Sequence, residues 1–264
     1  MVSTASVLVS NIDTVLTMPA LRPEPVTAAP LEIVLEVWMR LEDAADPAKA
    51  PQMQAYMKSE MPFRGVVAPA LKQLCRGVFD AHRLGDRSAW KSGVLSLWDG
   101  ANFREERYAA LSLAAHRYYR GYQDVDTLDL YRHLVETGAW WDFVDAIASR
   151  SVGPILRASL VEVAPTMRTW AVDEHLWVRR TAILCQLANQ AETDPELLTY
   201  AIDANLDDSR FGKEFFIRKA VGWALREYAK TDPAWVVGFV GQRSTRLSGL
   251  SRREALKNVT THTA

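Results

Sequence analysis

The stretch AWWDFVDAIA, residues 139–148, sets an indole and a carboxylate four residues apart, at Trp141 and Asp145, with no basic residue to neutralise the acid. On a helix that spacing puts Trp141, Asp145 and Ala148 on one stripe, while Trp140, Val144 and Ile147 form the neighbouring stripe suited to a core. Asp142 falls in the first turn, where an acid complements the positive end of the helix dipole. A core accepts the indole and rejects the carboxylate, and a solvated surface does the reverse. A site that needs a rigid aromatic wall beside a negative charge uses both, and its chemistry would be electrostatic. The plainer reading of the same spacing packs Trp141 on a neighbouring helix and leaves Asp145 in water.

Two further sets have the same ambiguity. In KEFFIRKAVGWALREYAK (213–230) the apolar stripe is Ile217, Val221, Ala224, Leu225 and Tyr228. Trp223 stands off it, between Lys219 and Arg226. An indole between cations suits a grip on nucleic acid, the cations meeting phosphates and the ring offering a flat face. It suits an interhelical cation–π contact equally. In LWVRR (176–180), Arg180 falls on the buried stripe marked by Leu176, Ile183 and Leu187. A guanidinium there must find an anion, either a protein carboxylate or a phosphate. The run QRSTRLSGLSRREALKNV adds Arg243, Arg246, Arg252, Arg253 and Lys257, a phosphate-contacting end or an ordinary solvated helix. There is no Walker-type loop, no HExxH and no nucleophile elbow, and the five histidines lack metal-ligand spacing. Neither a metal nor a cofactor is expected.

The elements that must position these residues read as helices throughout. With 264 residues and 48% hydrophobic content the chain can bury a sizeable core. A net charge of −1 gives no global attraction to a polyanion. That average hides an acidic first fifty residues and a mildly basic stretch from 175 onward, the better candidate to meet one. Cys75 and Cys185 lack pairing or metal spacing and read as small buried hydrophobes in a reducing cytoplasm. No apolar run is long enough to span a membrane, and the first residues lack the basic leader of a signal peptide. Residues 1–30, with Pro19, Pro23, Pro25 and Pro30, read as a flexible tail, and residues 31–264 as one domain. From Leu31 the 3.6-residue periodicity recurs with no convincing strand. FREERYAALSLAAHRYYRGY (103–122) reads as a single helix, and Val152–Val163 as another. Asp-Pro at 194 and 232 marks two clean helix starts. The fold class is all-α, a HEAT-like repeat solenoid of stacked antiparallel helix pairs whose inner helices line a concave face.

Four segments, YMKSEMPFRGV (56–66), AWWDFVDAIA, HLWVRRTAILCQL (175–187) and KEFFIRKAVGWALREYAKTDP (213–233), resemble in sequence and order the AlkD family of bacterial DNA alkylation-repair glycosylases. The resemblance runs from about Leu31 to about Val259. The chain departs from it in the proline-rich leader and between motifs, as in the FRG of PFRGV. The resemblance implies a HEAT-like protein that excises N3- and N7-alkylated purines from double-stranded DNA in the cytoplasm, as a monomer, without metal or cofactor. It implies Asp145 and Trp141 as catalytic residues, Trp223 as the second tryptophan of the lesion cleft, and Tyr56 lining that same cleft. It implies a DNA-backbone contact for Arg180. Lys219, Arg226, Arg243, Arg246 and Arg252 are added as DNA-binding candidates from their charge and position. The implied mechanism leaves the base unflipped: the cationic purine departs, Asp145 stabilises the oxocarbenium-like sugar, and water attacks. A specialist for bulky alkylpurine adducts and a non-catalytic HEAT-type scaffold are the alternatives.

Overall fold

Helices dominate residues 26–259, the part of the chain that the computed structural model describes. They are α1 (Pro30–Asp43), α2 (Ala50–Met57), α3 (Ala68–Ala81), α4 (Arg87–Asp99), α5 (Arg104–Ala114), α6 (Leu128–Gly138) and α7 (Trp141–Ile147). After them come α8 (Gly153–Ala158), α9 (Leu160–Ala171), α10 (Leu176–Leu184), α11 (Pro195–Asp203), α12 (Phe215–Tyr228), α13 (Pro233–Gln242) and α14 (Gly249–Ala255). Local chemistry starts several of them. Asp86 accepts from Ala89 N–H at the head of α4 and Asp232 from Trp235 N–H at the head of α13. Asp194 accepts from the N–H groups of Glu196 and Leu197 at the head of α11, each such cap answering an otherwise orphaned donor. Pro195 and Pro233 take the first helical position, where a missing N–H costs nothing.

Packing joins near neighbours in sequence. Helix α1 lies on α3 and α4, α4 on α5, α9 on α10 and α11, and α13 on α12. A second set forms a row: α3 on α5, α7 on α10, α10 on α12, and α12 on α14. Helices α5 and α7 are joined in that row by Tyr108 against Phe143, with ring centroids 5.1 Å apart. One continuous apolar cluster, from Ala28 to Ala255, runs through the stack. Mostly near-neighbour contact around an unbroken core is the signature of a HEAT-like solenoid of stacked helix pairs.

Three local features depart from the sequence reading. The helix expected over 103–122 stops at Ala114, and Arg117–Tyr122 forms a 3₁₀ segment with Tyr119 outside helical angles. There the buried Tyr119 ring lies 6.0 Å from Trp90 and its hydroxyl accepts from Leu84 N–H, while Gln123 donates to the freed Ala114 carbonyl. The helix expected over 152–163 is two helices broken at Ser159 (φ −140°). It is preceded by a π turn, Ala148–Val152, where Pro154 has no N–H to give the Arg150 carbonyl. Finally, two-residue strands β1 (Val26–Thr27) and β2 (His82–Arg83) pair in parallel, and Ala28 is buried behind them. Residues 26–30, counted with the tail on sequence, are therefore tied to the fold; residues 1–25 of that segment lie outside the described residues. Among the described residues no helix is long and apolar enough to cross a membrane.

Candidate active site

A tight turn aims α7. Ala139 takes the left-handed region (φ 38°) and Trp140 is extended, so the chain reverses between Gly138 and Trp141. Gly138 cannot be larger, because a Cβ there would lie 2.7 Å from the Trp98 ring. The left-handed alanine costs about 1–3 kcal/mol, and burial of Phe143, Val144 and Ile147 one turn later offsets it. Trp140 is half-buried, as packing on the sequence stripe required, but through a different geometry. It caps the helix, donates its indole N–H to the Met57 carbonyl at 2.9 Å, and meets the rings of Trp177 and Phe216 at 6.2 and 5.6 Å. Four helices, α2, α7, α10 and α12, thus converge behind the site.

Asp145, one turn on from Trp141, is gripped by Arg180 of α10. Nε donates to Oδ1 and Nη2 to Oδ2, both at 2.8 Å, and Nη1 donates to the Phe216 carbonyl. The bidentate geometry fixes the carboxylate plane. Burial pushes the Asp145 carboxyl above its ordinary value, the hydrogen bonds and charge of Arg180 pull it back, and nearby Asp142 adds to the upward push. Arg180 is buried, so of the two anions open to it on sequence it takes the protein carboxylate. Three of its five N–H groups are thereby engaged inside the protein, in competition with the phosphate contact implied by the resemblance.

The pair lines a cavity of about 390 Å³ whose walls are Trp141, Trp223, Phe215 and Phe216. Lys219, Arg226 and Glu254 complete its lining. Glu254, from α14, accepts from Lys219 at 3.2 Å and from Arg226 at 2.5 Å. Lys219 first, then Arg226 and Lys257, hold its carboxyl below the usual range against the desolvation. Helix α14 comes this close because residue 222 is glycine; a Cβ would meet Glu254 Cβ at 2.6 Å and the Ser251 carbonyl at 3.0 Å. Lys219 and Arg226, expected to face DNA, are therefore engaged internally.

The remaining candidates scatter. Tyr56 is 78% exposed and lines a separate groove across α7, not the cavity of Asp145 as the resemblance implied. Arg243 forms a bidentate pair with Asp203 at 2.6 and 2.8 Å, and Arg246 pairs with Asp208 at 3.1 Å, so neither presents an uncompensated charge. Arg252 is exposed on α14. Sequence reasoning passed over Phe215, Phe216 and Glu254. Phe215 could have been found, since it shares the four-residue spacing of Lys219 and Trp223, and it is 58% exposed. Nothing local marks Glu254. Cys75 and Cys185 are buried outside the site, their thiols pushed up to about 12 by desolvation. Among the described residues no cluster of His, Cys, Asp and Glu could hold a metal.

A protein-family model described as a DNA alkylation repair enzyme matches residues 38–259. The chain belongs to this AlkD-like family. No curated protein matches it closely enough to count. Among solved structures it is similar to a predicted DNA alkylation repair enzyme from Enterococcus faecalis. The two are 30% identical with a TM-score of 0.73, over 82% of this chain and 97% of the other. The family function is that of DNA-binding alkylation-repair glycosylases, and Trp141, Asp145 and Trp223 all fall within the matched span.

Proposed function

We propose that the protein is a monofunctional glycosylase that hydrolyses the N-glycosidic bond of cationic N3- or N7-alkylated purines in duplex DNA without extruding the base. The observation that carries the reading is that Trp141, Asp145 and Trp223, from two helices, line one cavity. An alkylated purine already bears positive charge, so its departure needs no protonation. What remains is the cost of an oxocarbenium-like sugar, which an aligned carboxylate lowers by about 2.7–4 kcal/mol, or 10²–10³ in rate. Asp145 supplies that charge and orients the water; Trp141 and Trp223 turn electron-rich faces toward the same cation.

Arg180 is a positioning residue in this scheme. A carboxyl desolvated to this degree drifts toward its neutral form, which stabilises no cation. Two charge-assisted hydrogen bonds favour its ionised form and fix its plane. The test is release of base from duplex DNA carrying N7-methylguanine, followed as abasic sites. Wild-type protein leaves abasic sites and Asp145→Asn does so 10²–10³-fold more slowly. Equal release by the two sinks the mechanism, and damage-independent binding with no release supports the non-catalytic scaffold instead.

A further inference from the structure

Ion pairing takes up part of the positive charge that the sequence concentrates toward its carboxy-terminal end, where Arg252, Arg253 and Lys257 stay exposed without a partner among the described ion pairs. The basic carboxy-terminal third engages Lys219, Arg226, Arg243 and Arg246 with Glu254, Asp203 and Asp208. Toward the other end of the helix row, a groove of about 670 Å³ between α3 and the 3₁₀ segment after α5 is lined by Lys72, Arg76, Arg117 and Arg120. All four are exposed. Among the described ion pairs only Arg117 has a partner there, Asp80 at 2.8 Å, and Asp80 is the sole acid in the lining. Asp80 also holds His116, whose ring burial pushes toward the neutral form. The groove therefore carries a clear excess of fixed positive charge.

It does not stand alone. Through Lys72, Ser112 and Ala115 it is continuous with the groove of about 570 Å³ that holds Tyr56. That second groove ends at Ala146, Ile147 and Arg150, on α7 and the π turn behind it. A path of exposed cations thus leads from the helix of Asp145 along α3, with Lys72 and Arg76 one helical turn apart. Lined by flexible cations around a partly apolar floor, it suits a polyanion followed along its backbone rather than a small ligand enclosed in a pocket.

We infer that the track from Arg150 past Lys72 and Arg76 to Arg120 binds backbone phosphates of the duplex on one side of the lesion. The inference rests on DNA being the substrate. It extends the footprint into the amino-terminal half, although the sequence charge points to the other end.

The test is the salt dependence of affinity for duplex DNA, with and without N7-methylguanine. Replacing Lys72, Arg76 and Arg120 together by Gln removes up to three phosphate contacts and flattens the log–log slope by about 2.7, at about 0.9 per contact. Substitution of Arg168 on α9, whose guanidinium sits 4.9 Å from the Tyr200 ring of α11, by Gln leaves the slope unchanged. Duplexes shortened on either side of the lesion supply the second arm. One truncation weakens wild type by the factor the triple substitution does and adds nothing to the variant, because both delete the same contacts. A wild-type slope in the triple variant, or truncation losses that add to it, overturns the inference. Base release is read separately: without it the glycosylase reading fails while the slope still judges the groove.

Discussion

Helix α7 carries two aspartate–arginine pairs three residues apart, and by burial they are the same object. In Asp142–Arg104 and in Asp145–Arg180 alike, the arginine side chain is 5% exposed and the aspartate 13%. Each joins α7 to a different helix. Their surroundings differ. Both oxygens of Asp142 are taken by different donors, Arg104 and the Tyr108 hydroxyl, the latter at 2.6 Å, and Arg104 goes on to Ser59 at 3.1 Å and Tyr108 at 3.1 Å. Burial and then the neighbouring Asp142 charge push the Tyr108 phenol well up, so that hydroxyl stays a donor. The network is closed. Asp145 has Arg180 alone, and the pair looks onto an aromatic cavity. Identical chemistry and identical burial therefore do not separate the two carboxylates; what lies on the unfilled side does.

Under the proposed function that contrast makes Asp142 a residue of stability and Asp145 a residue of rate, and each half can be broken separately. The largest effect is expected for Asp142→Ala, which leaves Arg104 buried and unpaired at a cost of about 3–5 kcal/mol, read from denaturant unfolding. The folded fraction should still release base. If this variant is as stable as wild type, the closed network is not what holds α7. Next, Asp145→Asn should slow single-turnover release by about 10²–10³-fold while the far-ultraviolet spectrum stays helical; a comparable slowing in folded Asp142→Asn would erase the distinction. Gly222→Ala should cost about 1–3 kcal/mol by forcing α14 away from α12, with melting temperature as the readout.

Two smaller effects sharpen the picture. In the proposed mechanism release depends on ionised Asp145, so it falls as pH drops through that carboxyl's value. Arg180 opposes the upward push of burial, so Arg180→Gln moves the acid limb of the rate profile to higher pH. A limb that stays in place assigns Arg180 to packing only. The smallest change is expected for Glu254→Gln, which unties Lys219 and Arg226. The salt slope for duplex binding should steepen by about 0.9 for each cation that then reaches a phosphate.

Much of the site was legible because it is built from side chains on single helices. The four-residue spacing puts Trp141 and Asp145 together, and the apolar stripe of α12 pushes Trp223 off the core, whatever the rest of the chain does. Helix starts at Asp194 and Asp232 were legible for the same reason, since a cap is a contact between near neighbours. The end of α5 was not. It depends on Tyr119 packing against Trp90 and on Gln123 reaching Ala114, contacts that no periodicity reveals. The partners of Lys219 and Arg226 were also illegible, because Glu254 comes from a helix twenty-eight residues beyond Arg226.

What the amino-acid order determined by itself is the helical class, the stripes, and the side chains that cannot be core. Tertiary structure alone decided which arginine closes on which acid, and therefore where positive charge remains uncompensated. The physical reason is range. Helical propensity and amphipathicity act over one or two turns, whereas an ion pair forms wherever packing brings two charges within a few ångströms.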